Sequence, residues 1–452
     1  MSRTGGTASI RARQKWSILQ PVASMMLVLS GSIIIEAYIG DTQSHPPPTT
    51  GAFAYNTFVP SNTPATSYDD PIFGSTVRRV TTDHRADQIY ARNMWWSADA
   101  TKYLHNNDVI DTLTGVPTHR GFSTGEFSGD YGFDPVDSTL FFTISGSTIL
   151  KITLGPAGTY DESVYFTAPS QIKTLGGTIN WMDAQGRYMI VRYGPEPSVH
   201  LYDRLNLAAG PYANPVDGAS TIDQGGYVGL SPDGKFLVGY VGGRAGQFNM
   251  GHGISWSINH TDRRVAATGT NFWELCGDHG SFLSASDGRN YMIVSNCHDA
   301  PEIWRVDITN SAGGLPPSSQ KTLPNNQRLL TVYWNAGVHF STVARGRARD
   351  WAFFSINDSS DVFNGSVSSW QPYKSEIVAL NVITGELRRL AHHRSRSVGD
   401  NYFSNPRLST SWGGELVGWA SNFNQMNQWD IFAIPFWTSM GPRPPTSLRI
   451  VK

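Results

Sequence analysis

From Asp87 onward the chain alternates short apolar runs with tight polar turns: an apolar strand, a turn, a second apolar strand, a variable loop, then another hairpin. The turns of the first hairpins fall at Ser97–Ala100, Asp134–Ser138, Asp183–Gly186, Ser231–Gly234, Ser286–Arg289, Arg345–Ala348 and Ser411–Gly414. Their spacing is roughly that of a four-stranded propeller blade, and strands such as KFLVGYV, NYMIVSN and ELVGWAS follow them. The last unit ends after DIFAIPF, which supplies only a third strand, while FGSTVRRVTT near the N-terminus matches the missing fourth. The pattern predicts an all-β chain: a seven-bladed β-propeller over residues 72–440, closed by an N-terminal strand and followed by a C-terminal tail, 441–452. A closed ring leaves no free sheet edge, which is a physical reason for such an exchange of strands. A β-sandwich is the structural runner-up, although it would show fewer and less periodic units.

Ahead of the repeats, Trp16 to Ile35 carries no charge until Glu36 and is preceded by Arg3, Arg11, Arg13 and Lys15. A basic flank on an apolar run of about twenty residues reads as a signal sequence or membrane anchor over residues 1–40. No clean A-x-A cleavage site follows, and the run is long enough to span a bilayer. The body is therefore expected to be secreted, or anchored on the extracytoplasmic side of a membrane through this segment alone. Residues 41–71, rich in Pro and Thr, read as a linker.

Charge narrows the function classes. The chain has 35 Lys and Arg against 36 Asp and Glu, with a formal net charge of −1. No basic cluster marks a nucleic-acid surface. No nucleophile elbow, P-loop, dinucleotide fingerprint or HExxH motif is present, and no organic cofactor is implied.

In a blade whose strands run A to D from the axis outward, the A–B and C–D turns share one face and the B–C and D–A loops the other. The short SPDG-like turns occupy the first, so chemistry is expected on the second. That face receives His105, Arg192, Arg244, His252, His279, His298, His339, His392, His393 and Arg407, with Tyr193 and Tyr240 beside them. Guanidinium groups bind carboxylates bidentately, and His and Tyr move protons, so the set suits an acidic ligand. Acids at Asp130, Asp278 and Asp299 leave a carboxylate-pair hydrolysis open. The two cysteines, Cys276 and Cys297, fall on successive strands of one blade. They are read either as a disulfide or, with His279 and His298, as a zinc site in which His260 could replace one ligand.

The segments NCHDAPEIWRVDI, EIVALNVITGELRRLAHHRS and SNPRLSTSWGGELVGWASNF resemble the repeats of TolB-like propellers and, within them, oligogalacturonate lyases and ulvan-type polysaccharide lyases. The resemblance is clear over the C-terminal half and one of pattern in the earlier blades. It implies β-elimination on a uronic-acid polymer: a cation neutralises the carboxylate, a base removes the C5 proton, and an acid assists the leaving O4. Oligogalacturonate lyases hold manganese with a Gln and a His-Pro-His element, and the matching positions here are Tyr402 and Asn405-Pro406-Arg407, so that metal site is expected to be lost. Ulvan-type lyases rely on His, Tyr and Arg, with a structural Cys/His zinc. On this reading Arg244 or Arg192 neutralises the uronate, His105 or Tyr193 is the base, and Tyr240 or Tyr193 the acid. Arg192, His252, His339, Asn405 and Arg407 are then expected to bind an acidic polysaccharide or oligosaccharide. The rival class is a noncatalytic secreted propeller that binds a glycan or a protein.

Overall fold

The structure, a computed structural model, describes residues 38–85, 95–122, 132–175, 180–241, 251–275, 280–296, 301–333, 336–358, 370–396, 405–426 and 428–436. All of them belong to one compact unit, residues 36–452. Seven antiparallel sheets follow one another along the chain as the blades of a β-propeller.

The sixth blade shows how the sequence builds the repeat. Its strands run Ala336–Thr342, Trp351–Asp358, Glu376–Asn381 and Leu387–His392 from inside out. Side chains of one strand alternate between two interfaces: Ala352, Phe354 and Ile356 pack with Ile293 and Phe340, whereas Trp351 and Phe353 pack with Trp419 and Phe432. Both faces of a blade are thus buried against neighbouring blades, which is why these strands read as near-continuous apolar runs rather than half-polar ones. In the first three blades the inner strand is reduced to isolated bridges, Trp96 to Tyr103, Phe133 to Phe141 and Met182 to Met189.

The predicted turns lie where the pattern puts them, and they are built for cohesion. At Ser231–Gly234 the Ser231 hydroxyl donates to Asp233 at 2.7 Å and accepts from the Lys235 and Phe236 amides, while Gly234 takes φ +71°. Asp233 then reaches the next blade, receiving Asn290 Nδ2 at 2.9 Å while its own amide donates to Ser284. The first blade repeats the device: burial opposes ionisation of Asp99, but hydrogen bonds from Ser97, Thr101 and Ser138 hold its carboxyl down to about 2. The turns of this face lace neighbouring blades together.

Ring closure is as expected. Thr76–Arg79 pairs with Asp430–Pro435, with Arg78 opposite Ala433 and Arg79 opposite Phe432. A further strand, Ser67–Asp69, extends this sheet to five.

Residues 38–66, most of which fall in the segment 41–71 that composition suggests to be a linker, lie against the sixth and seventh blades as a strap. Ile39 exchanges backbone hydrogen bonds with Arg389 at 3.2 and 2.8 Å, and Tyr55 is fully buried. The sequence HHRSR at 392–396 explains the attachment. Arg394 donates to the Phe53 carbonyl, Arg396 to the Tyr55 carbonyl, and the Arg396 guanidinium lies 3.6 Å from the centre of the Tyr55 ring. Such a cation over an aromatic face is favourable when water is excluded. Arg389 forks onto Glu376 at 2.7 and 2.5 Å. His392 and His393, expected on an open loop, are therefore fully buried: His392 Nε2 bonds the His45 carbonyl at 2.9 Å and His393 Nε2 the Ile356 carbonyl at 3.2 Å.

Candidate functional site

Two carboxylate–imidazole pairs sit side by side where the seventh blade meets the first, on the face of the long loops. The chain leaves the closing strand at Arg79 and turns inward through residues 80–85, running beside residues 429–431. Consecutive residues of this turn then serve two different partners.

His84 is held by Asp430, whose Oδ2 accepts from its Nδ1 at 2.8 Å and whose Oδ1 accepts from its backbone amide at 3.1 Å. The same buried carboxylate accepts from Arg79 Nη1 at 2.6 Å and Thr81 Oγ1 at 3.1 Å. With Nδ1 fixed as donor, Nε2 of a neutral imidazole is an acceptor, and Asn62 Nδ2 from the strap donates to it at 3.0 Å. Asn62 Oδ1 in turn accepts from Arg79 at 2.8 Å. The His84 side chain keeps 30% of its exposure, and its backbone is left-handed at φ +61°.

Asp83 receives His105 Nε2 at 2.7 Å, with Asn106 Nδ2 within 3.3 Å. Burial works against its charge, but the hydrogen bond and charge of His105 prevail and lower its carboxyl below the usual range. Asp108, across the same turn, goes the other way: burial and the neighbouring Asp83 raise it, only partly offset by Arg120 and His105. One edge thus carries a carboxyl held below its usual range, a second pushed above it and a partly exposed imidazole. Pairs of titratable groups pushed apart in this way are what proton-transfer sites are made of.

The residues chosen from the sequence fare differently. His105 stands at this edge, but it is buried and its Nε2 is committed to Asp83. Arg192 is 3% exposed, with its guanidinium spread over Asp223 at 2.6 Å and the Thr174 and Pro197 carbonyls, which fits a clasp between loops and not a cation awaiting a uronate. Tyr193 is buried with its hydroxyl 2.5 Å from that of Tyr202, and its ring stacks on His200. Tyr240 is buried against Tyr227, and a Cβ at Gly251 would fall 1.5 Å from its hydroxyl. His252 opens its strand, half-buried opposite Val241. His339 is buried in the inner strand of the sixth blade. Next to that strand, Asn357 Nδ2 donates to Asn405 Oδ1 at 2.6 Å, and Arg407 follows, also buried. The described candidates for the neutralising cation, the base and the acid, Arg192, His105, Tyr193 and Tyr240, are thus all buried within or between blades.

Arg244, the cysteine group Cys276, His279, Cys297 and His298, the acids Asp130, Asp278 and Asp299, and Tyr402 lie outside the described residues. Among the described residues no group of three or more His, Cys, Asp or Glu could hold a metal ion. Asn405 and Arg407 fit manganese poorly: the amide oxygen is already bonded to Asn357, and a guanidinium has donors only.

Sequence reasoning missed His84, Asp430 and Asn62. The periodic reading starts at Asp87, and the dipeptide Asp83-His84 lies just before it, next to the closing strand. A signal did exist: two polar, titratable residues follow directly on a strand already assigned to the last blade.

No family of known sequences matches the chain, and no curated protein does. Solved structures do resemble it. An oligogalacturonate lyase from Vibrio parahaemolyticus aligns with a TM-score of 0.52 at 14% identity, over 82% of this chain and 96% of that one. An oligogalacturonate lyase in complex with manganese aligns with a TM-score of 0.51 at 13% identity, over 82% and 95%. In fold, this chain is a seven-bladed β-propeller similar to that of the oligogalacturonate lyases.

Proposed function

We propose that this protein is a polysaccharide lyase that cleaves a uronic-acid-containing chain by β-elimination. The observation that carries the reading is the match of the propeller to two oligogalacturonate lyases over nearly their whole length, on a chain whose loop face holds paired carboxylates and imidazoles. Elimination needs no water nucleophile; it needs the C5 proton made acidic and a base beside it. An ulvan-like or a pectin-like chain both meet that description, and the apolar N-terminal run supports a protein exported to meet them.

The second reading, a noncatalytic propeller that binds an acidic glycan, draws on the resemblance read from the sequence, which implies that Asn405 and Arg407 replace the histidines of the manganese-binding His-Pro-His element. A propeller scaffold serves many functions, so the site must decide. Purified protein incubated with polygalacturonate, ulvan, alginate and a glycosaminoglycan, and followed by the ultraviolet absorbance of unsaturated uronate, tests the choice. Growth of absorbance with any one polymer supports the lyase. Retention on an immobilised uronate polymer without absorbance supports the binder.

A further inference from the structure

Asp430 accepts from four donors, and two of them are explained by ring closure alone. Arg79 and Thr81 tie the closing strand to the last blade. His84 adds nothing that closure requires, yet the backbone bends into the left-handed region to bring it there. For a residue that is not glycine this costs about 1 kcal/mol, and strain of that kind collects at functional sites. The outcome is a partly exposed imidazole with its tautomer set from behind by a buried carboxylate and its other nitrogen covered, among the described residues, by Asn62, an exposed amide on the strap. The described alternatives fall short: His105 has its Nε2 on Asp83, and the Tyr193 hydroxyl is bound to Tyr202.

We propose that His84 is the base of the elimination, with Asp430 and Asn62 as its positioning residues; this rests on the lyase reading above. Nε2 of His84 takes the C5 proton of the uronate. The C5–H electron pair becomes the C4=C5 double bond, and the C4–O4 bond breaks. The leaving oxygen keeps its electron pair and gains a proton from water, and the imidazolium returns its own to solvent. Asn62 is the group the substrate displaces, so the strap forms one wall of the binding edge.

The test is kinetic, with polygalacturonate or whichever polymer of the panel the wild type cleaves. His84→Asn suits the left-handed backbone, and its amide can still donate to Asp430. It is expected to lower kcat by 10²–10⁴-fold, the range for loss of a general base, with KM within about threefold and an unchanged melting temperature. Asn62→Ala, which removes the covering amide and leaves the imidazole, is expected to change KM more than kcat. If His84→Asn proves misfolded, wild-type protein treated with diethyl pyrocarbonate and mapped by mass spectrometry takes its place: His84 should react, and the polymer that the wild type cleaves should protect it. Cleavage by the wild type with kcat undiminished in folded His84→Asn, or His84 labelling that the cleaved polymer does not slow, overturns the assignment and leaves the lyase reading standing. A wild type that cleaves none of the polymers overturns the lyase reading, and the role of His84 with it.

Discussion

Arg79 Nη1 and Asp430 Oδ2 lie 2.6 Å apart across the seam that joins the N-terminal strand to the last blade, and both side chains are buried. A buried ion pair of this kind does less for stability than its removal by halves would suggest, because each charge has lost its water. Its value here is register: Arg79 pairs opposite Phe432 only when the strand is correctly seated, and the same carboxylate then fixes His84. Closing the ring and orienting the candidate base are one event.

The first prediction follows from that seam. Arg79→Ala leaves Asp430 buried with its strongest partner gone, and should destabilise the propeller by about 3 kcal/mol. The midpoint of urea unfolding checks this. Deleting residues 67–79 should do more, unfolding the ring cooperatively because one sheet loses two strands.

The second concerns core packing. Phe354 is fully buried between the fifth and sixth blades, so Phe354→Ala should cost about 3–5 kcal/mol through lost burial and the cavity left behind. Asp233→Ala, on the turn face, removes hydrogen bonds to Ser231 and Asn290 and should cost about 1–2 kcal/mol. Catalytic constants per folded molecule should not change in Asp233→Ala, since that turn lies on the opposite face from His84.

The third is a pH dependence of the strap. Burial holds the His393 imidazole down to about 3, and burial together with the Arg394 charge drives His392 well below its usual range. Both are neutral in the folded protein but take up a proton on unfolding below about pH 6.5. The stability they contribute is therefore complete above pH 6.5 and lost as pH falls toward 3, of order 3 kcal/mol by pH 4 for His393. Asp70 and Glu376, which burial raises, act in the opposite sense, stabilising at low pH and losing that contribution as pH rises. Comparing wild type with His393→Gln isolates the histidine: the variant should lose less stability than wild type between pH 7 and pH 4, measured by denaturant midpoints.

The propeller was legible in the sequence because its signals are local. Turns such as Ser231–Gly234 need a hydroxyl, an acid and a glycine at fixed offsets, and the half-blade DIFAIPF announces a missing strand. The site was less legible because its contacts are not local. Arg192 and His105 look like free loop-face groups until folding sets Asp223 and Asp83 against them. Asp430 and His84 are 346 positions apart, and nothing but ring closure joins them. The strap was misleading for a related reason: Pro and Thr suggest a linker, whereas its attachment is written in HHRSR, at the far end of the chain.

The central claim is eliminative cleavage, and product mass tests it most directly. Oligomers released from polygalacturonate or ulvan should carry an unsaturated uronate at the non-reducing end, one water lighter than the saturated oligomer of the same length. Saturated products alone would mean hydrolysis, and an unchanged polymer that nonetheless binds the protein would mean a noncatalytic propeller; either result contradicts the account.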